Sequence, residues 1–302
     1  MRWALLLMTL VTACLTSCQS LAPRSWDLPP GVKVLPVNGY DMAYVERGQG
    51  APLVLVHGTL GDFRTWDQVT SSLSDKYHTI SVSLRHAYPE HWDGRGDDGS
   101  LSQHASDLAV FIRALGLGPV HLLGHSRGGT VVLFTASAHP ELMRSVILAD
   151  PAPLMNMLPK RPEVQAAMDQ RTVLIQSMLE HFRKGDVDGG AATWINGISG
   201  PGAWDAASEG ARTVWRANAW TAKTLYGDDR LPFACADAAK IKVPVLLVTG
   251  DKSPPIYGYV QESLRPCLER VTSVAIPNAG HGMFRANPQV FNERIGEFLA
   301  EH

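Results

Sequence analysis

No segment of this sequence concentrates positive charge. Its 27 Lys and Arg stand against 29 Asp and Glu, for a formal net charge of −2, and they are spread along the chain. The basic stripe that nucleic-acid binding requires is missing, so no nucleic-acid partner is expected. The N-terminal apolar run, Trp3 to Val11, is too short to remain in a bilayer as a spanning helix. No internal repeat is present. Cysteine is sparse: four among 302 residues, two of them within the first 18. What remains is an ordinary globular composition, 45% hydrophobic and 19% charged. A chain of this length buries a large core as one domain, with room for an inserted subdomain.

The first residues depart from that average. Met1-Arg2 supplies a positive charge, the run to Val11 follows, and small residues come next, which is the layout of a secretory signal. Leu15-Thr16-Ser17-Cys18 resembles the lipobox of bacterial lipoproteins, in which the cysteine becomes the lipid-bearing first residue. Val11-Thr12-Ala13-Cys14 fits the same pattern with an unusually short signal, and an ordinary cleaved signal with incidental cysteines is the plainer alternative. The expectation is lipidation at Cys18, with 1–18 as signal and lipobox and the Pro- and Ser-rich stretch 19–30 as a tether. By that resemblance Gln19 after Cys18 implies an outer-membrane address, so the chain is expected in the bacterial cell envelope, held to the membrane by its lipid. Cys235 and Cys267 form an isolated pair that an oxidising compartment invites into a disulfide, with two buried free thiols as the alternative.

Beyond the tether, short apolar runs punctuate the chain. Val32–Val37 and Met42–Glu46 flank the turn signal Asn38-Gly39 and read as two strands. Pro52–His57 is continuously apolar, as a central parallel strand buried on both faces must be. His78–Leu84, Val120–Gly124, Ser145–Ala149, Val243–Thr249 and Val271–Ile276 continue the series. Helical patterns separate them. Ser100 to Gly116 opens with a capping box, Ser100 and Gln103, and the final helix starts at Asn287-Pro288. Strands alternating with helices specify a doubly wound, mostly parallel α/β sheet. Residues 152–240 break the alternation with helix formers, methionines and tryptophans. They are expected to form a helical cap on a core made of 31–151 and 241–302. Met155, Met157, Met168, Met178, Trp194, Trp204, Trp215 and Trp220 read mostly as a small core, some of them as walls of a cleft.

The chemistry centres on Gly124-His125-Ser126-Arg127-Gly128. An apolar strand precedes this G-x-S-x-G and a helical run follows, so Ser126 stands on a sharp strand–turn–helix elbow. An alcohol needs a base to take its proton, and His281 lies on a glycine-flanked loop just past the last strand. With His57-Gly58 after the third strand, Ser126 after the fifth and His281 after the last, the chain resembles an α/β-hydrolase-fold enzyme from about residue 31 to its end. The resemblance implies an oxyanion hole made by the backbone N–H groups of Thr59 and Arg127, the Arg127 side chain being left to solvent. It implies no cofactor.

Two features depart from the family. The usual acid position, in G-x-x-D after the penultimate strand, holds Ser253, and Asp251 comes two residues early. A minority of the family carries its acid directly after the sixth strand, where Asp150 stands. Asp150 is therefore the expected partner of His281, with Asp251 the alternative. The loop after the fourth strand is rich in His and aromatic residues, and His86, Tyr88 or Trp92 there either touch substrate or pack as a surface loop. No metal site is expected, for want of a carboxylate or Cys at ligand spacing beside His86 and His91. The implied activity is acyl transfer to water: a serine hydrolase cleaving a carboxylic ester of a small, moderately apolar molecule. The alternatives are a C–C bond or lactone hydrolase on the same residues, or a non-catalytic surface lipoprotein. The oligomeric state is not legible.

Overall fold

A computed structural model describes residues 27–96, 98–225 and 228–302. Cys14, Cys18 and most of the tether lie outside the described residues. No described helix is long and apolar enough to cross a membrane.

Eight strands form one sheet in the order β1-β2-β4-β3-β5-β6-β7-β8. The first two, β1 (Lys33–Val37) and β2 (Tyr40–Arg47), are antiparallel. Asn38 and Gly39 both adopt positive φ, +46° and +76°, as the tight turn between twisted strands demands. β2 is also antiparallel to its other neighbour, β4 (Tyr77–Val82), while the remaining pairs run parallel: β4 with β3 (Ala51–Val56), and β3, β5 (Val120–His125), β6 (Met143–Ala149), β7 (Val245–Gly250) and β8 (Val271–Ile276) in turn.

Alternation along β3 shows why its run is apolar throughout. Val54 and Val56 face one hydrophobic cluster with Leu122, Val146 and the helix α2 (Leu101–Leu115). Leu53 and Leu55 face another with Trp66, Ile147, the helix α1 (Asp67–Leu73) and the C-terminal helix Pro288–Ala300. All four side chains are fully buried. At about 25 cal/mol per Å² of apolar surface, two-sided burial of this kind is the main term holding a parallel sheet.

The chain leaves β3 to one side for β4 and returns on the other for β5, so strand order reverses there. Such a switch point opens a crevice at the carboxyl ends of the strands, where ligands bind in open α/β sheets. Between β6 and β7 the chain runs through helices, including α4 (Pro162–Arg183) and α5 (Val187–Ser199), over that end. Met178, Trp194, Trp204 and Trp215 make a separate core there with Phe182 and Ile195. Met168 joins the main core, while Met155 and Trp220 stay exposed at 40% and 38%. Cys235 and Cys267 are bonded, 32 residues apart, tying the chain before β7 to the chain before β8.

One local expectation is corrected. Ser100 accepts from the Gln103 N–H, but the Gln103 side chain donates to Asp107 instead of returning to the cap, so only half of the capping box forms. The box would need the Gln103 carbonyl oxygen turned to the Ser100 N–H; its amide N–H is instead drawn to the buried Asp107 carboxylate, a charged acceptor that also takes Arg85 and Asn38.

Candidate active site

The elbow begins where β5 ends. Ser126 has φ +53° and ψ −126°, a conformation that costs an L-residue about 1–3 kcal/mol and holds its side chain up from the turn. Its neighbours must be small. A Cβ on Gly124 would stand 2.5 Å from the Gly128 carbonyl oxygen, and one on Gly128 would stand 2.2 Å from that of His57. The Ser126 N–H donates to the Ala149 carbonyl, 3.0 Å, which ties the elbow to the end of β6. From Arg127 the helix α3 (Arg127–Ala138) continues.

Asp150 follows β6 directly, also at positive φ, +42°. Its carboxylate has no exposed surface, and its Oδ2 accepts from His281 Nδ1 at 3.2 Å and from Ser253 Oγ at 2.6 Å. The structure thus brings Asp150, and not Asp251, to the imidazole. Asp251 lies at the end of β7 with its two oxygens on the N–H groups of Asn278 and Ala279, at 2.9 and 3.0 Å. Ser253, at the position where the family usually places its acid, donates to the acid that stands elsewhere. Burial pushes the Asp150 carboxyl up to about 6, with the Ser253 hydroxyl opposing.

His281 is 1% exposed and its Nε2 has no hydrogen-bond partner. Burial pushes its imidazole down to about 3, and Arg171 on the cap helix α4 acts in the same direction. A neutral ring with Nδ1–H toward Asp150 leaves Nε2 as a lone-pair acceptor. Two neighbours fix the ring. Tyr257 stacks on it, centroids 4.1 Å apart at 14°, and burial pushes its phenol up, with the nearby Ser126 side chain opposing. His125 lies 4.4 Å away and donates from Nε2 to the His281 carbonyl oxygen at 2.8 Å.

His57 is a strut. Its Nε2 accepts from the Leu84 N–H at 3.0 Å, so its Nδ1–H donates to the Gly58 carbonyl at 2.8 Å. Burial pushes it down to about 4, with the Gly58 bond opposing. The Thr59 and Arg127 N–H groups have no acceptor in the backbone or side-chain bonding of the described residues, which leaves both open to a ligand oxygen.

The Arg127 side chain is not left to solvent. It is buried, pairs with Asp228 at 2.5 Å, and donates to His104 Nδ1 and the Gly99 carbonyl. A guanidinium without solvent needs such partners, and these lock the start of α3 to the loop before α2. Of the two readings of the loop after β4, the packed one holds. His86 stacks on Trp92 at 4.3 Å and sits between Glu90 and Asp98, while Tyr88 packs on Phe63 and under Arg64. The carboxylates beside His86 come from four and twelve residues along, spacings that the sequence did not flag. No group of three His, Cys, Asp or Glu among the described residues is placed to hold a metal.

A pocket of about 780 Å³ lies between the strand ends and the cap helices. Gly58, Thr59, His125 and His281 form its inner wall, Ile195, Ile198 and Trp215 its cap wall, and Phe284 and Arg285 complete it. Tyr257, Ser253, His125 and Arg285 were not assigned to the site from sequence. Only Ser253, standing in place of an acid, carried a visible signal.

Comparison with known proteins fits this architecture. The model of the alpha/beta hydrolase family matches residues 53–294, and the chain belongs to that family. Hydrolysis is the chemistry that membership supports. The chain is 23% identical over 275 residues to the (E)-2-((N-methylformamido)methylene)succinate hydrolase of Acinetobacter baylyi, covering 87% of this chain and 95% of that one. Among solved structures, a Bacillus subtilis carboxylesterase superposes with TM-score 0.71 at 19% identity, over 92% of this chain and 94% of that one. A thermophilic esterase from Thermogutta terrifontis gives TM-score 0.69 at 24% identity, over 89% and 97%.

Proposed function

We propose that the protein is a serine hydrolase cleaving carboxylic esters of small, moderately apolar molecules through an acyl-enzyme. The observation that carries the reading is the buried Asp150–His281 pair, whose imidazole leaves Nε2 free to take a proton and is held against Tyr257. In this mechanism His281 Nε2 takes the Ser126 proton as Oγ attacks the acyl carbon. The Thr59 and Arg127 N–H groups receive the charge that develops on the carbonyl oxygen. His281 then protonates the leaving alcohol. In the second half it activates water against the acyl-enzyme, and the proton returns to Ser126. Asp150 holds the imidazole in the tautomer that both halves need. The apolar cap wall and a volume of about 780 Å³ suit a small organic ester. The esterases among the structural neighbours lend the reading support.

The proposal includes location: lipidation at Cys18 and tethering in the cell envelope. The Cys235–Cys267 disulfide suits an oxidising compartment of that kind. The test is purified protein lacking residues 1–18, assayed on methyl and p-nitrophenyl esters of graded acyl length beside lactones, with a serine-reactive fluorophosphonate as covalent probe. Ester turnover and labelling at Ser126 are expected. Labelling with lactone turnover alone would move the bond assignment, and absence of both would overturn the reading.

A further inference from the structure

Among the described residues, one charged side chain on the pocket wall has no ion-pair partner. Arg285 stands four residues after His281, on the short helix Met283–Ala286, and lines the same cavity as His281 and Thr59. Its guanidinium lies 4.9 Å from the Phe284 ring centre and 5.5 Å from that of Trp215. Among the described residues no carboxylate comes within ion-pair distance of it. Asp62 is the carboxylate whose charge reaches it, and Asp62 is already committed. Asp62 Oδ1 accepts from the Arg64 N–H and Nε, and its Oδ2 from Arg64 Nη2 and Asn218 Nδ2.

The other two charged side chains on the wall do not substitute. Arg64 is spent on Asp62 and lies over the Tyr88 ring at 3.7 Å. Asp67 sits at the rim, its side chain 56% exposed and 3.6 Å from Arg47. Burial pushes the Arg285 guanidinium down to about 10, with Asp62 opposing, and the side chain sits half-buried on the pocket wall. An arginine stacked on aromatic faces keeps its planar fork free for an oxyanion, and carboxylate is the partner that fork fits with two parallel hydrogen bonds. One guanidinium carries one charge, which matches a carboxylate better than a dianionic phosphate.

We propose that Arg285 anchors a carboxylate on the substrate, so that the preferred substrates are half-esters of dicarboxylic acids, with the free acid on Arg285 and the ester at Ser126. This rests on the serine-hydrolase reading for the bond cleaved, but not for the binding of the anion. Within one substrate the apolar stretch of Ile195, Ile198 and Ala203 would cover the methylenes between the two ends.

The test compares monomethyl adipate with methyl hexanoate, which differ only in carboxylate for methyl at the far end. The readout is the ratio of their kcat/KM values. The wild type should favour the acid. Arg285→Met should lower the ratio about 10- to 100-fold, the range for losing a charged hydrogen-bonded pair, and Arg285→Lys should fall between. A second arm needs no turnover: adipate binding to the Ser126→Ala protein by calorimetry, with and without Arg285→Met. At least tenfold weaker adipate binding in the Arg285→Met background supports the anchor even if neither ester is cleaved, in which case the bond assignment fails alone. An unchanged ratio, or equal adipate binding in both backgrounds, overturns the anchor and leaves the hydrolase reading standing.

Discussion

Replacing Asp150 by Asn separates the energetics of the site from its chemistry. The carboxylate is fully buried, shares its Oδ2 between His281 and Ser253, and leaves Oδ1 unpartnered. Burial raises its pKa from 3.8 to about 6. A carboxyl whose folded pKa lies above its unfolded one stabilises the fold below the unfolded value and loses that contribution as pH rises through the folded one. Between pH 3.8 and about pH 7 the loss amounts to about 3 kcal/mol. Asn cannot ionise, so the stability of Asp150→Asn relative to wild type should improve by about that much across the interval. The depressed His281 titration has the opposite sign and changes when its partner Asp150 is replaced, so the unfolding comparison is made in a His281→Gln background, where it is absent. Turnover should move the other way. With the wrong tautomer favoured, kcat/KM should fall about 10³–10⁴-fold, whereas Asp251→Asn should stay within about tenfold, since Asp251 bonds only backbone N–H groups. In the wild type, activity should decline as pH falls below about 6, where Asp150 takes up its proton. The assays are urea unfolding at about pH 4.5, 6 and 7.5 and steady-state kinetics on one ester. A stability difference independent of pH refutes the burial argument, and near-wild-type turnover in Asp150→Asn refutes the assignment of the acid.

Three further outcomes follow from the same geometry. Ser126→Ala should lower ester turnover by about 10⁴–10⁶ with an unchanged circular dichroism spectrum, and retained turnover would end the mechanism. Cys235→Ala with Cys267→Ala should lower the unfolding midpoint by roughly 5–10 °C, from the loss of about 3–4 kcal/mol of chain constraint, checked by scanning calorimetry. Cys18→Ala should move the protein out of the membrane fraction or block its maturation, and mass spectrometry showing an unlipidated terminus beyond residue 18 would refute the anchor.

The strands were legible because burial on both faces leaves a continuous apolar signature: Pro52–His57 needed no partner strand to be read as central. The elbow was legible because backbone crowding at Gly124 and Gly128 constrains residue type in sequence as well as in space. What pairs across distance was not. Nothing near Arg127 in sequence announces Asp228, 101 residues away, so a buried ion pair read as a solvated side chain. The loop after β4 was ambiguous for the same reason, since Asn218, which pins it, comes from another segment, and Asp98 from the far end of the same connection. Tyr257 has no pattern of its own on its helix, and its place over His281 comes from the packing of Pro255–Leu264 beside the end of β7.

The position of the acid explains why both candidate aspartates are where they are. Ser126 and Asp150 end adjacent strands, β5 and β6, which the Ser126 N–H to Ala149 bond clamps together. Each leaves its strand at positive φ, so the Ser126 and Asp150 side chains leave neighbouring tight turns with little freedom between them. His281 comes from beyond β8, two strands further along, and has to be delivered to that pair by its loop. Asp251 serves this delivery by fixing the Asn278 and Ala279 N–H groups, and His125 holds the His281 carbonyl from the other side. An acid at position 253 would bring carboxylate and imidazole from adjacent strand ends and leave the Asp150 turn with no charge to bury. With the acid at position 150, a serine suffices at 253, because a neutral donor stabilises the buried carboxylate without adding a second negative charge 2.6 Å away. Both aspartates therefore hold the imidazole in place by different routes, since Asp150 bonds the ring and Asp251 bonds the loop that carries it.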